Sequence, residues 1–170
     1  MLTSGTAARF LPGASSSPTG AASGRASKVG ACTWSSIAGG EDRTLILQVE
    51  VYDSAAGTSS AQQAYAKEAP AGNCRCQGYT VTRQAVTGLG DQATMLFTTT
   101  GTQTRAGSWT APAVNLRVRS GNADINVGYT VAGIGRAPAP PGDAELRASA
   151  VAMARDVLAA LSPAAGSRSA

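Results

Sequence analysis

Residues 114–131 read VNLRVRSGNADINVGYTV. Val114, Leu116 and Val118 alternate with Asn115, Arg117 and Arg119. After Ser120-Gly121-Asn122, the residues Ile125, Val127, Tyr129 and Val131 alternate with Asp124, Asn126 and Thr130. A period of two is that of a strand with one face against a core. Two such runs around a short turn make an antiparallel hairpin. Their polar positions then share a face, and Arg117 or Arg119 comes opposite Asp124. Such a cross-strand pair contributes from a few tenths to about 1 kcal/mol.

The same pattern extends toward the N-terminus. Leu45, Leu47, Val49 and Val51 alternate with Thr44, Gln48 and Glu50, so Thr44 to Asp53 reads as a strand. Ala31 to Ile37 is its hairpin partner across Ala38-Gly39-Gly40-Glu41-Asp42. Tyr79 to Val86 and Thr94 to Thr100 are further strands rich in Thr and Val, and 101–107 is a polar turn. Helices are expected at 3–11, at 59–68 behind a Ser59 or Ser60 cap, and at 143–161. In the last, Asp143 stands at the N-cap and Glu145 in the first turn, with Leu146, Ala150, Val151, Ala154, Val157, Leu158 and Leu161 as an apolar stripe. Strands in hairpins, without βαβ alternation, predict an α+β domain. The expected architecture is one twisted antiparallel sheet of about six strands, with N-terminal, middle and long C-terminal helices packed on it. Along the chain this gives an N-terminal helix at 1–12, a flexible Gly/Ser-rich connection at 13–30, the remainder of one α+β domain at 31–162 and a disordered tail at 163–170.

The composition narrows the function classes. The 170 residues suit a single domain, and mean hydropathy is −0.04 with no run long enough for a membrane-spanning helix. Histidine is absent, which removes the commonest general base, the commonest zinc ligand and every histidine-dependent triad. The net charge is +4, but the basic residues are scattered from Arg9 to Arg168 without a run. Nucleic-acid binding would call for clustering. No nucleic-acid partner is therefore expected.

Gly88-Leu89-Gly90-Asp91 and Gly133-Ile134-Gly135-Arg136 resemble phosphate loops only superficially. They lack the third glycine of a dinucleotide fingerprint and the Lys-Ser/Thr of a P-loop, and the first leads into a strand. Both read as structural turns. Neither Ser-x-x-Lys nor Gly-x-Ser-x-Gly occurs, and Glu41 and Asp42 sit in a turn. No catalytic residue, cofactor site or metal site is expected, and an enzyme is not expected. The contact residues for a ligand would be Trp34, with Arg117 and Arg119 offering paired guanidiniums to an anion. Trp109 is a second candidate for lining a pocket, the alternative for both tryptophans being a place in or over the core. Cys32, Cys74 and Cys76 are the disulfide candidates. One bridge from Cys32 to Cys74 or Cys76 is expected in an oxidising compartment, because Cys74 to Cys76 would close a strained ring.

Ala31-Cys32-Thr33-Trp34-Ser35-Ser36, Val86-Thr87-Gly88-Leu89-Gly90-Asp91-Gln92-Ala93, the strand pair with Arg117 to Asn122, and the terminal Ala/Leu/Val helix together form a set. As a set they resemble the actinobacterial lipoproteins of domain-of-unknown-function 3558. More distantly, they resemble extracellular sensor domains of mycobacterial receptor-type kinases. The resemblance covers almost the whole chain. Members of the family carry a signal peptide, a lipobox cysteine, a spacer and a further cysteine before a Leu-Leu-Thr-like helix start, which Leu2-Thr3 matches in part. No signal peptide is visible here, so the resemblance implies a start inside the domain and a missing cysteine that would partner Cys32 or the Cys74/Cys76 pair. It also implies a secreted, cell-envelope binding or sensor module, anchored only through a lipid absent from this chain. Its partner would be a small molecule or an envelope protein, and the family brings no assigned reaction. The alternatives are an enzyme with an unrecognised Ser or carboxylate site and, on the sequence at face value, a cytoplasmic interaction protein.

Overall fold

Alternating apolar residues at 45–51, 93–97, 114–118 and 125–131 all turn to one side of a single sheet. This is seen in a computed structural model that describes residues 4–23, 27–53, 57–68, 79–104, 107–133 and 142–161. The elements in chain order are α1 (Ser4–Phe10), β1 (Ser15–Ser23), β2 (Ser27–Ala38), β3 (Glu41–Tyr52), α2 (Gly57–Glu68), β4 (Tyr79–Ala85), β5 (Gln92–Thr104), β6 (Gly107–Ser120), β7 (Ala123–Gly133) and α3 (Asp143–Leu161). The fold is α+β, with one seven-stranded sheet in the order β1-β2-β3-β7-β6-β5-β4. Every neighbouring pair is antiparallel. Two meanders, β1-β2-β3 and β4-β5-β6-β7, are thus joined by the crossover through α2 and meet where β7 pairs with β3.

Rows read straight across the sheet. Gln84, Met95, Leu116, Val127, Leu47 and Cys32 are register partners in succession, as are Phe97, Val114, Tyr129, Leu45 and Trp34. This face carries the core and is covered by α3, whose Leu146, Ala150, Met153, Ala154 and Val157 are buried against it. Leu11, just past α1, is buried in the same cluster. The second face bears Thr94, Arg117, Asn126 and Gln48, also in register. There α2 packs, with Ala61 and Tyr65 buried and the Tyr65 hydroxyl 2.6 Å from Thr94 Oγ1.

Three expectations change. Residues 13–30 hold a strand, β1, and the start of β2, which makes the sheet seven strands wide. An outermost strand needs backbone pairing more than bulky side chains, so Ser, Ala and Gly suffice. Pro18, which cannot donate, sits at a register shift between Pro18 and Gly20. Residues 101–104 belong to β5, with pairing continuing to Thr104 opposite Gly107, because a Thr/Gln run satisfies its backbone in a long hairpin as well as in a turn. Cys32 is a free, half-buried thiol rather than half of a disulfide. Cys74, Cys76 and the tail expected at 163–170 lie outside the described residues.

The Gly88–Asp91 segment is a structural turn. Leu89 is buried in the core, and the Asp91 N–H donates to the Arg119 carbonyl (2.8 Å). The Asp91 carboxylate accepts from the Gly121 N–H (2.8 Å) and pairs with Arg119 at 3.1 Å. Gly90 and Gly88 both have positive φ, +60° and +71°. Only at Gly90 would a Cβ meet a neighbour, the Arg119 carbonyl oxygen at 2.5 Å. Gly90→Ala should therefore cost about 2–4 kcal/mol, strain plus overpacking, against about 1–2 kcal/mol for Gly88→Ala. Denaturant melts of the two variants check the difference.

Candidate functional site

The residues singled out in the sequence do not converge. Trp34 lies on the α3 face, half-buried against the core in the row of Leu45 and Tyr129. Arg117 and Arg119 point from the opposite face of the sheet. The side chain of Trp109 lies outside the described ones.

On the second face, Arg119 stands directly opposite Asp124 in register, yet the ion pair is made diagonally by Arg117. Arg117 Nε donates to both Asp124 oxygens at 3.1 Å and Nη2 closes the pair. The Asp124 side chain is 4% exposed, so the charge is essentially out of water. Arg119 instead reaches Asp91 and donates to Gln92 Oε1 at 3.0 Å. Both guanidiniums are therefore engaged by groups of the protein. Beside the pair, Gln48, Glu50, Arg117, Asp124 and Asn126 enclose about 30 Å³, room for a water molecule or two. Ser27 Oγ donates to Glu50 at 2.7 Å. Burial, together with the hydrogen bond and charge of Glu50 and the charge of Asp124, pushes the Tyr52 hydroxyl up to about 12, with Arg117 pulling the other way. This face is a polar lock between strands.

The α3 face is different, because α3 lies over β6 and β7 and leaves a recess on each flank. Toward α1, a cavity of about 220 Å³ is lined by Arg9, Arg43, Tyr129, Glu145 and Ser149 among others. The Phe10 carbonyl at the end of α1 accepts from Arg43 Nη1 (3.2 Å) and from the Tyr129 hydroxyl (3.1 Å). Arg43 also holds Glu41 through Nε (2.9 Å) and Nη2 (2.6 Å). Burial works against the charge of Arg43, but the Glu41 hydrogen bond and the charges of Tyr129 and Glu41 leave it above the usual guanidinium value. Tyr129 is raised by burial against the opposing pull of Arg43. These contacts tie α1 to the sheet.

On the other flank, toward β4, runs a wider groove of about 480 Å³. It is lined by Val86, Met95 and Val151 with Gln84, Arg147 and Arg155, and among the described residues no carboxylate lines it. Its size falls in the ordinary range of small-molecule sites. Arg147 and Arg155 stand on the same flank of α3 as Val151, at i, i+8 and i+4. That spacing was legible in the sequence beside the core stripe. Among the described residues no group of three or more His, Cys, Asp or Glu is placed to hold a metal ion, and no helix is long and apolar enough to cross a membrane.

Fold and site define a single-sheet α+β domain with a basic-rimmed groove beside its C-terminal helix. The chain matches no known family model and no curated protein sequence.

Two predictions follow from the polar lock. Asp124→Ala strands Arg117 and should cost about 3 kcal/mol, whereas joint replacement of Asp124 and Arg117 by leucines should recover most of that loss in denaturant melts. The raised Tyr52 hydroxyl contributes stability that is complete below the ordinary tyrosine value of about 10 and is lost as pH climbs toward about 12. Stability should therefore fall across that interval, and less steeply in Tyr52→Phe, when unfolding is followed at successive pH values.

Proposed function

We propose that this chain is an extracytoplasmic, cell-envelope binding or sensor module that holds a ligand without transforming it. The observation that carries the binding part is the groove between α3 and β4: about 480 Å³, apolar-floored, rimmed by two arginines. The envelope part rests on the likeness of the Cys32–Ser36 and Val86–Ala93 motifs and the terminal helix to the lipoproteins of domain-of-unknown-function 3558. In that setting a lipid anchor, carried outside the residues described, would hold the domain at the membrane. Its partner would be a small molecule or another envelope protein.

A recess on the flank of a rigid helix suits binding because it exists before the ligand arrives. Ala150 and Ala154 press α3 onto the sheet while Val151 and Arg155, on the helix's free side, line the groove. Little has to be ordered on binding, which lowers its entropic cost.

A thermal-unfolding screen against envelope-type small molecules tests this. A ligand present at about 100 times its Kd should stabilise the domain by about 2.7 kcal/mol and emerge chemically unchanged. Reproducible product formation would overturn the non-enzymatic reading, and recovery of the native protein solely from the cytosol would overturn its location.

A further inference from the structure

The groove beside α3 has two kinds of wall. Its floor is Val86 beyond the end of β4, Met95 from β5 and Val151 from α3. Its rim is Arg147 and Arg155, two turns apart on α3, with Gln84 opposite. The guanidinium of Arg147 lies over the Phe97 ring, 5.4 Å from its centroid, and donates through Nη1 to Gln84. Its Nε is buried without a hydrogen-bond partner. Arg43, Arg117 and Arg119 are each paired with a carboxylate, whereas among the described residues no carboxylate lines the groove that Arg147 and Arg155 overlook. A cationic rim over an apolar floor complements a molecule that is anionic at one end and hydrocarbon along its length.

From this we infer that the groove binds a monomeric single-chain anionic amphiphile. Its head group is held by Arg147 and Arg155, and its alkyl chain lies on Val86, Met95 and Val151. This deepens the binding-module reading and rests on it. Charge complementarity chooses the occupant: a neutral lipid would leave the cationic rim without a counter-charge, and a small inorganic anion would leave the floor empty. The carboxylate–guanidinium pair supplies orientation through charge-assisted hydrogen bonds, and the chain supplies affinity in proportion to the apolar surface it covers.

The test titrates the full chain with decanoate below its micelle concentration and follows the ε-methyl NMR signals of Met95 and Met153. Met95 lines the groove, while Met153 is buried on the sheet-facing side of α3 and serves as the internal control. Decanoate should shift Met95 and leave Met153 in place. Each methylene added or removed should change the affinity about fourfold. Decanol and acetate should bind at least about tenfold more weakly. Arg155→Gln, at an exposed position, should weaken decanoate by about tenfold with unchanged melting. Arg147→Gln, scored on the Met95 shift alone, should act in the same direction.

Decanol binding as tightly as decanoate would overturn the anionic head group. Acetate matching decanoate would overturn the alkyl chain, and a response at Met153 without Met95 would overturn the site. Sedimentation with anionic phospholipid vesicles without binding of monomeric decanoate would overturn the monomeric occupant. If decanoate fails while a different compound shifts Met95, this inference falls and the binding-module reading stands. If no compound in the screen binds anywhere, both fall.

Discussion

β3 and β7 pair without interruption from Glu41 opposite Gly133 to Val51 opposite Ala123. They belong to two meanders separated in the chain by α2, so among the described residues their pairing is the ladder that makes one sheet of two. Closing so long a loop costs chain entropy before any contact is gained. The return comes from the residues that meet there. On one face Leu45, Leu47, Val127 and Tyr129 come together under α3, and all four are buried. On the other, Gln48 lies beside Asn126 and Glu50 beside Asp124, so the polar network of that face spans both meanders. A one-residue slip of β7 against β3 would turn Ile125, Val127 and Tyr129 outward and Asp124 into the core. The buried Arg117–Asp124 pair penalises that slip strongly, which suits such pairs better to fixing register than to adding net stability.

The same closure explains which parts of the fold were legible. Wherever one face is buried and the other is not, the period of two is written into the side chains, as at 45–51, 114–118 and 125–131, and those strands are found where alternation places them. The helix at 143–161 was equally plain, because its cap, acidic first turn and apolar stripe agree. β1 carries no such record. Ser15–Ser23 lies at the margin of the sheet, outside the core, so nothing in its side chains distinguishes it from a linker. Strand order is likewise not revealed by the hairpins alone: the α2 crossover sends β4 to the far side of the sheet.

The candidate site was less legible than the fold. Arg117 and Arg119 drew attention because they alternate with apolar residues on a strand, but alternation reports a face and not an unoccupied charge. Asp124, Asp91 and Gln92 claim both. Trp34 was separated from them by the sheet itself. Arg147 and Arg155 lay in a helix whose apolar stripe explained its sequence without them. Their spacing with Val151 gains meaning only once α3 is known to cross β6 and β7 and stop short of β4.

The irregularity at Pro18–Gly20 has a consequence beyond local geometry. An exposed margin with a regular ladder of free donors and acceptors would invite any extended polypeptide, including another copy of this one, to dock and continue the pleat. Here the ladder is broken midway, one donor is missing altogether, and the remaining positions carry only Ser, Thr, Gly and Ala, with no bulky apolar residue to hold an incoming chain. The sheet is thereby discouraged from growing past β1, and of its two margins only that of β1 is interrupted in this way.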